Sequence, residues 1–255
     1  MSYHIIKSLI ACLALFPAIA YAEEAAPHCQ RESVYEETFV ICRFEQTADL
    51  RTFLNAPDGE PFGHFGRLKE TLNEGGETLI FAMNGGMYHE DRTPVGLYIE
   101  DGNKTQNLMT RAGPGNFGLL PNGVFYVDGA GAHVAESLTY QALNPDTFYA
   151  TQSGPMLVIE GVYHPALNPN GTSLKRRNGV GVNEETGEVA FVISDGFVNF
   201  YTFARVFRDH LHMPNALYLD GTISRLYAPE IDRNEGGLRM GPIIGVVGEL
   251  TENSD

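Results

Sequence analysis

Two aspartates in this sequence each close an apolar run and are each followed by glycine. Asp195-Gly196 ends Val189 to Ser194, and Asp220-Gly221 ends Asn215-Ala216-Leu217-Tyr218-Leu219. A carboxylate held at a strand end can act as a nucleophile or as a base for water. Asp-Gly is also a strong hairpin signal, so both read equally well as plain turns. Upstream, Lys175-Arg176-Arg177-Asn178-Gly179 places three adjacent cations at the entrance to Val180-Gly181-Val182. Arginine offers a planar fork of donors matched to phosphate or carboxylate, and a solvated basic turn reads equally well. Asn84-Gly85-Gly86-Met87-Tyr88 follows the apolar run Leu79 to Met83, and Ser153-Gly154-Pro155 precedes Met156 to Glu160. The paired glycines can bring backbone close to a ligand or turn N–H groups inward around an anion, and Asn-Gly is again a turn signal.

The absent patterns narrow the chemistry. No GxSxG, HExxH, Walker A or GxGxxG sequence occurs, which removes support for serine hydrolase, zincin and nucleotide-binding readings. No dense His/Asp grouping suggests a metal clamp, and His210 and His212 lie two apart on a helix, where their rings diverge. No cofactor and no metal are therefore expected.

These motifs must be positioned by strands. Short apolar or alternating segments recur between Gly, Pro and Asn clusters: Thr78 to Met83, Val95 to Glu100, Val124 to Val127, Met156 to Glu160, Gly179 to Asn183, Val189 to Ser194, Ala216 to Leu219 and Pro242 to Val247. Helical periodicity is confined to Gly63 to Leu72 and Phe200 to His212, the latter with Asn199 as N-cap and Pro214 as terminator. Strands outnumber helices without regular alternation, which predicts an α+β fold with a mixed β-sheet core, few helices and a single compact domain over 23–255.

Residues 1–22 read as a signal peptide: Lys7, an apolar run from Ser8 to Phe16, and the small-residue pattern Ala20-Tyr21-Ala22. The run is too short to span a bilayer, and no later segment is long and apolar enough, so no integral membrane segment is expected after signal removal. Cleavage would leave Cys29 and Cys42, which are expected to pair in an oxidising compartment, periplasmic or extracellular. The formal net charge of -15 argues against a nucleic-acid partner and requires any anionic ligand to be held by a local basic site.

In order, NGGMY at Asn84, SGPML at Ser153, RNGVG at Arg177, TFARVF at Thr202 and NALYLDG at Asn215 resemble the phosphodiester glycosidase family, over about 79–247. One departure is plain: eukaryotic members carry a glycine-rich run after the aspartate, whereas here Asp220-Gly221 continues as Thr222-Ile223-Ser224. The resemblance implies hydrolysis of a sugar-1-phosphodiester, or phosphorylated glycan, at the sugar C1–O bond. It implies Asp220 as nucleophile or base, with Asp195 as second candidate. Arg177, helped by Arg176, would hold the phosphate. Asn84, Gly85, Gly86, Ser153, Gly154, Asn178, Gly221 and Ser224 would position substrate. Two other readings use the same loops: a phosphodiesterase that breaks P–O, and a non-catalytic periplasmic protein that binds glycan or phospho-glycan.

Overall fold

The computed structural model describes residues 27–221 and 223–250; the expected signal peptide, residues 1–22, and Thr222 lie outside the described residues. In chain order the strands are β1 (Cys29–Val34), β2 (Glu37–Glu45), β3 (Leu50–Phe53), β4 (Glu77–Asn84), β5 (Tyr98–Glu100), β6 (Asn103–Gln106), β7 (Gly123–Asp128), β8 (Gly131–Glu136), β9 (Tyr149–Ser153), β10 (Met156–Ile159), β11 (Val162–Tyr163), β12 (Asn178–Asn183), β13 (Glu188–Ser194), β14 (Asn215–Asp220), β15 (Leu226–Ala228), β16 (Arg233–Asn234) and β17 (Ile243–Glu249). The helices are α1 (Phe65–Glu74), α2 (Ser137–Leu143) and α3 (Phe200–Arg205), the last continued by a π-helical turn, Val206–His210.

The strands form three sheets: β1-β2-β13-β12-β14-β10-β11, β16-β15-β4-β17-β3 and β6-β5-β9-β7-β8. The predicted sheet-dominated α+β domain with few helices is what forms. Every pairing between these named strands is antiparallel, so the strands are shared among three antiparallel sheets.

The seven-stranded sheet is apolar on both faces, and the period-2 side-chain alternation of a strand explains why its sequences read as continuous apolar runs. In β13, Val189, Phe191 and Ile193 join the central core with Phe81, Phe125, Met156 and Leu219, while Ala190 and Val192 point to a second layer with Phe203, Phe207 and Tyr218. That second layer is α3 and its π-turn. Glycines 179 and 181 in β12 make room for it: a Cβ at 181 would lie 2.8 Å from Phe207 and 2.9 Å from Met213. Asn199 caps α3 by accepting from the Thr202 N–H at 2.8 Å, as its residue type predicts. Helix α1 places Phe65, Leu68 and Leu72 on the outer face of the β4 sheet.

The expected disulfide is present. Cys29 and Cys42 are directly opposed in the β1–β2 register and are bonded. Among the described residues, no helix is long and apolar enough to cross a membrane.

Candidate active site

β4, β9, β12 and β14 between them come from all three sheets, and the ends that carry the sequence motifs meet. At the junction are two fully buried asparagines, Asn84 closing β4 and Asn178 opening β12. Asn178 Nδ2 donates to the Asn84 side-chain oxygen and to its carbonyl, both at 3.1 Å. Asn178 Oδ1 accepts from the Asp220 N–H at 3.0 Å and is 3.2 Å from Ser224 Oγ. Asn84 Oδ1 accepts the Arg225 N–H at 2.8 Å. One amide pair thus fixes the backbone on both sides of the 220–225 turn.

Around this pair the motifs take definite places. Ser153, at the end of β9, donates from Oγ to the Leu219 carbonyl at 2.7 Å, and Ser224 Oγ lies 2.8 Å from the Asp220 carbonyl. The Gly221 N–H reaches Asp220 Oδ1 at 2.6 Å. Gly221 is needed there because a Cβ would fall on the Tyr218 hydroxyl.

A cleft of about 270 Å³ opens above, lined by Met87, Tyr88, Asp220 and Ile223. Asp220 is the one acid among these. Burial pushes the Tyr88 hydroxyl up to about 12, the neighbouring Asp220 charge adds to the rise, and Arg92 and Arg225 oppose it. A carboxylate and two guanidinium groups thus act on one phenol.

Several expected positions differ. Arg177 is 0% exposed. Its Nε donates to the Val198 carbonyl at 2.8 Å and its Nη2 to the Ser173 carbonyl at 2.7 Å. Its guanidinium lies 3.5 Å from the Phe200 ring centroid and 5.3 Å from that of Tyr218, and burial pulls its pKa down. It therefore stands within the wall behind β14 and does not line the cleft. Arg176 is also committed, from Nε to the Ser194 carbonyl at 3.1 Å, from Nη1 to the Ser224 carbonyl at 3.3 Å and from Nη2 to Glu235 at 2.6 Å. Asp195 faces away into a surface ion-pair group with Arg31 at 3.0 Å and Arg233 at 2.9 Å.

The glycines of the Asn84 motif are explained by close packing. The Gly85 N–H donates to the Pro242 carbonyl at 2.7 Å and the Gly86 N–H to Thr151 Oγ1 at 3.0 Å. Both donors are spent inside the protein, so the loop is not an anion-binding nest. Gly154 likewise approaches Asn122, where a Cβ would lie 2.8 Å away. Tyr88, Ile223, Arg92 and Arg225 were not singled out by sequence. The available signal was proximity: Tyr88 closes the NGGMY motif, and Arg225 follows Ser224 directly.

The chain and its fold have known counterparts. A family profile described as phosphodiester glycosidase matches residues 77–241, well over half of the chain. An uncharacterized Escherichia coli (strain K12) protein, YigE, is 36% identical over 225 residues, covering 87% of this chain and 85% of its own. The zebrafish N-acetylglucosamine-1-phosphodiester alpha-N-acetylglucosaminidase catalytic domain, auto-inhibited by its pro-peptide, shares the fold at a TM-score of 0.57 and 14% identity, over 86% of this chain and 81% of that one. A hypothetical protein from Synechocystis aligns at a TM-score of 0.56 and 13% identity, over 86% of this chain and 61% of its own. By its sequence match and its shared architecture, the chain belongs to the phosphodiester glycosidase family.

Proposed function

We propose that this protein is an exported glycosidase that hydrolyses the C1–O bond of a sugar-1-phosphodiester in envelope or extracellular glycans. The observation that carries the reading is the placement of Asp220. It is the acid among the cleft-lining residues, and its backbone is fixed by the buried asparagine pair.

Most glycosidases use two carboxyl groups, one of them a protonated acid for a poor alkoxide leaving group. A phosphate monoester leaves as a stable anion with the bonding electrons of the C–O bond, so that proton donor is dispensable. What the transition state requires is negative charge near the sugar carbon and positive charge near the departing phosphate. Asp220 supplies the first. Water then supplies the hydroxyl that ends on the sugar and releases its second proton to solvent. The Cys29–Cys42 disulfide supports an oxidising compartment, periplasmic or extracellular, as the place of action.

The test is incubation with UDP-N-acetylglucosamine and with an α-N-acetylglucosaminyl-1-phospho-sugar in H₂¹⁸O, followed by mass spectrometry. Label in the released sugar is expected. Label in phosphate would mean P–O cleavage and would sink the assignment, as would tight binding without turnover of these or other sugar phosphodiesters. Asp220→Asn should abolish turnover while leaving substrate affinity nearly intact.

A further inference from the structure

Arg177 and Arg176, the cations that the sequence offers for phosphate, are committed to protein groups. Two other arginines, Arg225 and Arg92, stand near Tyr88, which lines the cleft with Asp220. Arg225 is held by its backbone N–H on Asn84 Oδ1, five residues from Asp220 and on the same amide pair. Its guanidinium rests on Gly237, where a Cβ would collide with Nη2 and would lie 2.7 Å from Nη1. Arg92 lies over the Tyr88 ring, its Cζ 5.6 Å from the centroid, on a tight loop closed by the Tyr88–Pro94 bridge. Its φ of 76° is a left-handed conformation that costs a non-glycine residue about 1–2 kcal/mol.

Neither arginine has an ion-pair partner among the described residues. In a chain of net charge -15, with acids available to most of the other arginines, that is a notable omission. Both also bury an Nε that has no hydrogen-bond partner. Buried donors are nearly always satisfied; Arg177 Nη1 is open in the same way, but Arg225 and Arg92 are the ones that act on the cleft-lining Tyr88.

We infer that Arg225, supported by Arg92 and the Tyr88 hydroxyl, is the anion subsite that receives the phosphate of the substrate. The inference rests on the phosphodiester reading of the same cleft and replaces Arg177 with Arg225 as the phosphate ligand. A phosphodiester carries one negative charge on two non-bridging oxygens, which one guanidinium fork can meet. The phosphate then sits across the cleft from Asp220, with the sugar carbon between them. Ile223 and Met87 offer the sugar an apolar edge. Arg177 becomes a positioning residue, whose stacking on Phe200 and Tyr218 steadies the strand that carries Asp220.

The inference is tested with the full mature chain by titrating inorganic phosphate, followed by ³¹P NMR and calorimetry, in wild type, Arg225→Ala, Arg225→Lys, Arg92→Ala and Arg177→Lys. Thermal melting confirms folding of each. Loss of charge-assisted hydrogen bonds should weaken phosphate binding about 10- to 100-fold in Arg225→Ala, with a smaller loss in Arg92→Ala, partial recovery in Arg225→Lys and near-normal affinity in folded Arg177→Lys. Normal phosphate affinity in both Arg225→Ala and Arg92→Ala, or loss confined to Arg177→Lys, would overturn it, as would absence of phosphate binding by the wild type. Phosphate binding that depends on Arg225, together with no label in the sugar, would leave the subsite standing and remove only the glycosidase assignment.

Discussion

Replacing Asn178 with alanine tests whether the amide pair is the keystone of the cleft. The change removes one acceptor and one donor group from a place that water does not reach. The Asn84 Nδ2 group loses its Asn178 partner, which stands at 3.4 Å, and the Asp220 N–H loses its acceptor at 3.0 Å. Ser224 Oγ is spared, because the Asp220 and Arg176 carbonyls remain within 2.8 and 3.1 Å. Two orphaned buried groups at about 1–3 kcal/mol each give an expected loss of roughly 2–4 kcal/mol, after some relief from water entering the vacated volume. For a domain of this size the melting temperature should fall by roughly 5–15 °C. Urea unfolding of the protein reads the loss directly as a shift in midpoint at unchanged slope. Turnover measured well below the new midpoint should fall as well, because the 220–225 turn is no longer fixed. A destabilisation below about 1 kcal/mol with full activity would refute the claim that this pair organises the site.

Three further outcomes are expected. The Cys29–Cys42 bridge closes a segment with a sequence separation of 13, so its reduction, or replacement of both cysteines by alanine, should cost about 2–3 kcal/mol, and an unchanged urea midpoint under reductant would contradict this. Burial works to raise the pKa of Glu235, but hydrogen bonding and charge from Arg176, then Arg233, outweigh it and hold the carboxyl below its ordinary value. Its contribution is therefore present above the unfolded pKa and lost as pH falls through the folded one, so Glu235→Gln should be less stable than wild type at pH 7 and converge with it in acid; a pH-independent gap in denaturation midpoints would dismiss the idea. Arg177→Lys should lose about 2–4 kcal/mol of stability through its bonds to the Val198 and Ser173 carbonyls, and wild-type stability in this variant would show that the buried fork is not structural.

The turns and apolar runs made much of this molecule readable. Each of the eight apolar segments picked out in the sequence contains or overlaps a strand, because central strands covered on both faces leave an unmistakable run such as Val189 to Ile193. The ends of β4, β9, β12 and β14 meet through Asn84, Ser153, Asn178 and Asp220. The edges were harder: β1 carries four polar residues in a row between Cys29 and Val34, and α2 spans only seven residues, too few for periodicity to show. The second long helix was anticipated to His212, but it widens to a π-turn after Arg205, with the Leu211 N–H reaching back to the Val206 carbonyl. What sequence could not convey was the fate of individual guanidinium groups. Whether Arg177 meets solvent depends on Phe200 and Tyr218 arriving from two other elements, and whether Arg225 stays unpaired depends on which acids its neighbours have already taken.

The cross-link also has a bearing on how the chain avoids its own kind. β1 is an edge of the seven-stranded sheet, and it shields β2, whose Phe39 to Cys42 run is wholly buried. Were β1 to peel away, a long strand would present open N–H and C=O groups beside bare aromatic and aliphatic side chains, the template on which chains stack edge to edge. A covalent tie from Cys29, the first residue of β1, to the middle of β2 keeps that strand from straying far. Oxidation would then act as a guard against self-association, and a newly made, still reduced chain would be at its most vulnerable in the interval before the bond forms.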